Sequence, residues 1–533
     1  MSCLALPTHR PRTRPLAALV LLAIGPLAHA ASLTYCADGA PDGFDIAQYE
    51  TTVTNDASIP VYEQLLALKP GTTEVVPGLA DQWQVSADGL QVTLHLRAGV
   101  QFHSTPWFKP TREMNADDVL WSINRINDPK HPAHAAAGNG FPYWAGMSMP
   151  SLLKSVEKLD AMRVRFTLTR PEAPFIANLT MSALATVFSA EYGEKLQAAG
   201  KPGDLNMLPV GTGPYAFKSY QKDAVVRYAP HPGYWGGKPR LDQLIFAVTP
   251  DPSVRLQRLK AGECMVGELA RQDGKAMAGN PRIATVLSKP LSTTYIAPNS
   301  RHKFTGDKRF RQALSLAIDR KAYVQTVSAG YAAPATSFLP PGIWSQDANL
   351  VNPHDPEKAK QLLKAAGYDG SELVLFATAK DSSVQRAVEL LQADWARVGV
   401  KVKVQLMELG ELYKRTGQGE QDLALLSWFS DNGDPDNFFT PNLSCAAAEG
   451  GGNKSHWCNK AFDSLLDKAR TTPDLKQRTA LYRQAQKLLH DETGLIPLVN
   501  AQEVIAVDKR VKGFEATLFG GRKFNAARVD AAP

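Results

Sequence analysis

The chain has 533 residues, 44% of them hydrophobic and 21% charged, which is enough for two or three packed domains of ordinary globular composition. Its net charge of +7 drops to +4 without Arg10, Arg12 and Arg14, and the remaining Lys and Arg are mixed with acids, so nothing argues for a nucleic-acid partner. Beyond residue 30 no stretch approaches ~18 unbroken apolar residues, so the mature chain is not expected to span a membrane.

The three arginines precede the apolar run LAALVLLAIGPLAHA, which ends in Ala28-His29-Ala30. That is the pattern of a secretory signal peptide, and cleavage is expected after Ala30. An N-terminal anchor is the weaker reading, because the run is short for a bilayer and carries Pro26. The exported chain then opens with SLTYCADG, an alternating strand. WQVSADGLQVTLHLRAGVQFH reads as a hairpin turning at ADG, and NADDVLWSINRI as a helix capped by Asn115. Asp117 and Asp118 then sit in a first turn, where the macrodipole favours acids, rather than in a catalytic dyad. KLDAMRVRFTLTRP reads as one strand. The segment from PVGTGPY to IFAVTP reads as three strands, with Gly211 and Gly213 in a tight turn, since no Lys-Ser/Thr follows to make a phosphate loop.

The C-terminal half alternates helical segments (DKRFRQALSLAIDRKAYVQTV, DPEKAKQLLKAAG, SSVQRAVELLQADWARVG, PDLKQRTALYRQAQKLLHDE) with strands ELVLFAT, VKVQLME and DLALLSW. Such alternation implies an α/β chain with a parallel sheet wrapped by helices. Four cysteines remain after export, and an even number outside the cytoplasm implies disulfides. Cys445 and Cys458 enclose the Gly-rich AAAEGGGNKSHW and are paired on that ground, which leaves Cys36 for Cys264. Lipidation at Cys36 is not expected, because Thr34 and Tyr35 stand where small residues should precede it.

No G-x-S-x-G, H-E-x-x-H or P-loop occurs, and neither an enzyme, a metal nor a cofactor is expected. His490 falls at a helix end, where it complements the dipole. The remaining oddity is SWFSDNGDPDNFF, where Asp431, Asp434 and Asp436 stand among Trp428, Phe429, Phe438 and Phe439. Carboxylates in aromatic surroundings need a positive partner: a metal, a buried arginine or a ligand. A calcium loop of EF-hand type fails, with Asp436 where Gly is required and Asn442 where Glu is required.

Taken together, TEVVPGLADQWQVSADGLQVTLHLRAGVQFH, NADDV, PVGTGPY, GYWGGKPRLD, VRLQRLKAGEC, RFRQALSLAIDR, DPEKAKQLLKAAG and DNGDPDNFF resemble, in sequence and order, the extracytoplasmic solute-binding proteins of peptide ABC importers (family 5), over essentially the whole mature chain. Dipeptide-binding members look most similar, and the four cysteines fall where those carry two disulfides. The resemblance implies a periplasmic-binding-protein fold with two lobes joined by a hinge plus an extra domain. Residues 31–63, 211–290 and 500–533 would form one lobe, 64–210 the extra domain and 291–499 the second lobe. It implies a periplasmic, monomeric protein of a Gram-negative cell that captures a short peptide by lobe closure and delivers it to an inner-membrane ABC permease.

By the same resemblance Asp431 accepts the peptide ammonium, and Trp428, Thr52 and Leu409 line the ligand; Asp434, with Pro435 beside it, and Asp436 read as turn residues. Leu409 replaces a pocket tryptophan. The loop FATAKDSSVQRAVELLQ is shorter than in dipeptide binders and lacks their carboxylate-binding arginine. Lys380 is the expected substitute, aided by the N–H groups at Ser382 and Ser383, with Arg386 second. This departure leaves haem, glutathione or cationic antimicrobial peptides as alternative ligands. An exported hydrolase would need a nucleophile–base pair that the sequence does not offer.

Overall fold

The computed structural model describes residue 2 and residues 31–49, 51–277, 279–379, 382–449 and 451–531. The signal peptide expected over 1–30 lies outside the described residues apart from Ser2, and everything below concerns the compact unit 31–533.

The first lobe is a seven-stranded sheet in the order Ile283–Ser288, Glu503–Asp508, Val266–Leu269, Ser32–Ala37, Gln243–Val248, Val225–Pro230, Tyr215–Gln221. Ser32–Ala37 is central because its side chains are buried on both faces. Leu33 and Tyr35 enter the large core, and Cys36 enters a smaller one with Leu259, Leu269 and Val504. There Cys36 is disulfide-bonded to Cys264, just past the helix Pro252–Ala261. Gly211 and Gly213 are required by close packing: a Cβ at either would lie 2.1 Å from the Val61 carbonyl oxygen or 2.6 Å from that of Pro60.

Four antiparallel strands, Ala80–Val85, Gln91–Leu96, Arg163–Leu168 and Leu153–Asp160, make the extra domain's sheet. The predicted single strand over 158–171 is thus a hairpin. Asp160 Oδ1 accepts the Met162 N–H at 2.9 Å and turns the chain, a local side-chain contact that alternation does not reveal. Helix Ala116–Asn127 starts on a full capping box of Asn115 and Asp118. Asp118 also pairs with Arg112 at 2.6 Å and Asp117 with Lys158 at 2.8 Å, so these acids are structural. Leu94 and Phe166 of this sheet share one continuous core with Leu33 and Phe246 of the first lobe.

The second lobe carries six strands in the order Ala332–Pro334, Ile496–Ala501, Ser292–Pro298, Leu423–Phe429, Leu373–Thr378, Val402–Met407. It is mixed, which corrects the expected parallel sheet. Only the last three strands run parallel, whereas Ser292–Pro298, Ile496–Ala501 and Ala332–Pro334 pair antiparallel. Two of those antiparallel strands enter from outside the β-α-β run, by chain crossings between the lobes. The helix expected over 307–327 breaks into Lys308–Ala317 and Arg320–Thr326, because Asp319 accepts the N–H groups of Lys321 and Ala322 and starts a new helix. Helices Leu409–Gln418 and Lys460–Thr471 were not anticipated. In Leu423–Phe429, Leu423 and Leu425 face Trp395 and its neighbours, while Ala424 and Leu426 face Phe438, Phe439 and Tyr482, which explains an apolar run without alternation. The second disulfide, Cys445–Cys458, closes the loop behind this face.

The lobes are joined where Ile283–Ser288 runs into Ser292–Pro298 and Ile496–Ala501 into Glu503–Asp508. These crossings lie side by side, since Ser288 pairs with Glu503 below them and Thr294 with Val499 above. Two adjacent extended crossings make a hinge.

Candidate functional site in the cleft between the lobes

Two of the three parallel strands of the second lobe end level, Thr378 with Met407, where Ala379 N–H donates to the Met407 carbonyl at 2.8 Å, and the third, Leu423–Phe429, runs past them at the same end. Loops at the carboxyl ends of parallel strands are where open α/β sheets hold ligands. Asp431 stands in the third of these loops. Ser430 N–H donates to the Leu291 carbonyl at 2.8 Å, Ser430 Oγ accepts from Gly433 N–H, and Asn432 Oδ1 from Asp434 N–H. Gly433, at φ +75°, is in the left-handed region that this winding requires.

The half-buried Asp431 is held by its own lobe and by the extra domain. Its N–H donates to Asn437 Oδ1 at 3.0 Å while Asn437 Nδ2 donates to its Oδ2 at 2.9 Å. From the opposite face, Tyr143 of helix Pro142–Gly146 donates its hydroxyl to Oδ1 at 3.1 Å. Asn437 and Tyr143 thus orient the carboxylate.

Asp434 turns the chain, its Oδ1 accepting from Asp436 N–H at 3.0 Å, and both acids also have partners far along the sequence. Both are buried. Asp434 takes Arg478 Nη2 on both oxygens, at 3.0 and 2.9 Å. Asp436 accepts from Thr440 Oγ1 at 2.7 Å and faces Arg470; burial raises its pKa against the pull of that arginine. The arginines lie on helices 34 and 44 residues further along the chain, beyond the reach of local sequence reasoning.

The other residues singled out from sequence divide as follows. Trp428 is half-buried against the core beneath the strand, and its indole N–H is enclosed without a hydrogen-bond partner among the described residues. Thr52 opens helix Thr52–Ser58 on the first lobe. A Cβ at Gly520 would meet the Phe429 ring at 3.5 Å and Thr52 Cγ2 at 4.0 Å, so Thr52 and Phe429 both border Gly520. Leu409 opens helix Leu409–Gln418 and is 39% exposed, with Tyr413 one turn on at 41%. Lys380 lies outside the described residues. Arg386 folds back along its helix to donate to Ser382 Oγ at 3.2 Å. Sequence reasoning missed Tyr143 and Asn437. The motifs NGFPYW and DNGDPDN contain them, but only the fold brings them to Asp431.

Further contacts bring the lobes together: Asn432 Nδ2 donates to Asn178 Oδ1 at 2.7 Å, and Ala173 N–H to the Arg470 carbonyl at 2.6 Å. Among the described residues no group of His, Cys, Asp and Glu could hold a metal, and no helix is long and apolar enough to cross a membrane. His490 is in the last turn of Leu475–Glu492, where burial lowers its pKa.

The family model described as bacterial extracellular solute-binding proteins, family 5 Middle, matches residues 74–450. Di/tripeptide-binding protein 4 of Pseudomonas aeruginosa (strain UCBPP-PA14) is 49% identical, over 97% of this chain and 98% of its own. Heme-binding protein A of Haemophilus influenzae (strain ATCC 51907 / DSM 11121 / KW20 / Rd) is 39% identical, over 94% and 92%. The crystal structure of a dipeptide binding protein from Pseudoalteromonas sp. SM9913 in complex with Met-Leu superposes with a TM-score of 0.86 at 34% identity, covering 94% of this chain and all of that one.

Proposed function

Since the chain belongs to the bacterial extracellular solute-binding proteins of family 5, we propose that it captures di- or tripeptides between its lobes and hands them to an ABC permease of the inner membrane. The observation that carries this reading is Asp431, a carboxylate oriented by Asn437 and Tyr143 at the meeting of the lobes. A peptide's α-ammonium bound to this carboxylate would make a charge-assisted bond worth roughly 1.5–3 kcal/mol. Thr52, Trp428, Leu409 and Phe429 would border the peptide side chains. Lys380 would take the far carboxylate with the helix start at Ser382 and Ser383. Binding then closes the hinge and needs no covalent chemistry.

The protein works as a monomer in the periplasm after removal of residues 1–30. Residues 31–63, 211–290 and 500–533 move as one lobe with 64–210 attached, against 291–499. Exposed Leu409, Tyr413 and Phe429 offer apolar surface at the same site, and with the haem-binding relative they favour haem as the second reading. Calorimetric titration of protein freed of bound ligand by unfolding and refolding separates the two. Alanyl-alanine is expected to bind at micromolar concentration or tighter. Haem binding with no dipeptide heat would replace the peptide reading by the haem one.

A further inference from the structure

Away from Asp431, a second acid lies between the lobes. Glu172 belongs to the link between strand Arg163–Leu168 and helix Phe175–Asn178, and its side chain is only 5% exposed. Its Oε2 is 3.3 Å from Arg170 Nε, yet it accepts no hydrogen bond among the described residues. The second lobe covers it: Ala173 N–H donates to the Arg470 carbonyl at 2.6 Å, which sets the end of helix Lys460–Thr471 on this link.

The charges facing Glu172 come from every element around it. Its own link supplies Arg170, which is one-third exposed. Helix Lys460–Thr471 supplies Arg470 and Asp467, the loop before and start of Asp436–Leu443 supply Asp434 and Asp436, and helix Leu475–Glu492 supplies Arg478 beside Tyr482. The arginines of the second lobe are already engaged by its own groups. Arg478 is taken by Asp434 and by the Tyr482 hydroxyl, and Arg470 by Asp467 and Thr440 Oγ1. Arg470 Nε is buried without a hydrogen-bond partner among the described residues. Glu172 therefore faces Arg470, whose terminal nitrogens are engaged by Asp467 and Thr440, together with the acids Asp436 and Asp434, which repel it.

We propose that lobe closure takes up a proton at Glu172, so that the protein holds its ligand more tightly as the surroundings acidify. The proposal rests on the reading of the two lobes as a clamp that closes on ligand. In the closed form burial first, and Asp436 next, push the Glu172 carboxyl up from 4.5 to about 7, against the opposing pull of Arg470 and Arg170. Opening removes the covering face and returns the carboxyl to its ordinary range. The closed pKa is the higher one, so this contribution to closure is complete below the open-state value and is lost as pH rises through about 7.

The test is calorimetry of alanyl-alanine binding at pH 5.5 and 7.0, in buffers of different ionisation enthalpy so that proton uptake is counted directly. A peptide ammonium stays largely charged over that interval. Wild-type protein is expected to bind about tenfold more tightly at the lower pH and to take up a fraction of a proton at pH 7.0. Glu172→Gln, which fixes the neutral form, is expected to lose both effects while keeping tight binding at pH 7.0. Equal pH dependence and equal proton uptake in the two proteins would overturn the proposal. If alanyl-alanine binds neither protein, the peptide reading fails, and the latch is judged without ligand by single-molecule fluorescence transfer between the lobes. The closed fraction must then rise on acidification in wild type and stay flat in Glu172→Gln, and a flat wild-type response overturns it.

Discussion

Asp431 is oriented by the hydrogen bonds of Asn437 and Tyr143, and Asp434 forms a buried ion pair with Arg478. The difference decides what each substitution does. Asp434→Ala leaves Arg478 buried beside Trp344 and Tyr482 without its counter-ion, and breaking one partner out of a buried pair costs ~3–5 kcal/mol. Urea unfolding should show that loss as a lowered midpoint; an unchanged midpoint would mean that the pair is not part of the stability of this lobe. Asn437→Ala acts on Asp431, so it should weaken dipeptide binding by roughly the ~1 kcal/mol of one hydrogen bond, read as a several-fold rise in Kd. The acid-rich stretch could be recognised from its residues as a site in need of positive charge. Which acid served which partner could not, because Arg478 is 44 residues from Asp434 and Tyr143 is 288 from Asp431.

At the scale of elements, regular helices and the first hairpin follow from spacing and caps. Asn115, Asp355 and Asp474 each accept a backbone N–H at the start of the helix the pattern implies. Where the pattern misleads, a single side chain intervenes: Asp160 turns one strand into two, and Asp319 divides one helix. The mixed second-lobe sheet was hidden for a different reason, since pairing of Ser292–Pro298 with Leu423–Phe429 joins segments more than a hundred residues apart. The disulfides span very different lengths of chain, 228 residues for Cys36–Cys264 and 13 for Cys445–Cys458. Loop-closure entropy assigns them ~5 and ~3 kcal/mol respectively. Replacing Cys36 and Cys264 together by serine should therefore lower the urea midpoint more than replacing Cys445 and Cys458. The opposite order would show that local packing around the Gly-rich loop outweighs chain entropy.

On the scale of the whole molecule, two adjacent chain crossings carry one lobe against the other, and the residues that meet across the cleft come from both sides of them. Beside the apolar packing of Leu518 and Phe519 on the second-lobe core, Tyr143 with Asp431, Asn178 with Asn432 and Glu172 near Arg470 are polar and ionic contacts across the cleft. Such contacts are easily exchanged for water, which suits a clamp that must reopen to release its cargo. The claim at the centre of this function is that Asp431 holds a ligand's ammonium group. It is tested most directly by titrating ligand-free protein with alanyl-alanine and with N-acetyl-alanyl-alanine, in wild type and in Asp431→Asn. Acetylation should weaken binding to wild type at least tenfold, the ~1.5–3 kcal/mol of a charge-assisted bond, and should make little difference in Asp431→Asn. Equal affinity of wild type for the free and acetylated peptides would contradict it.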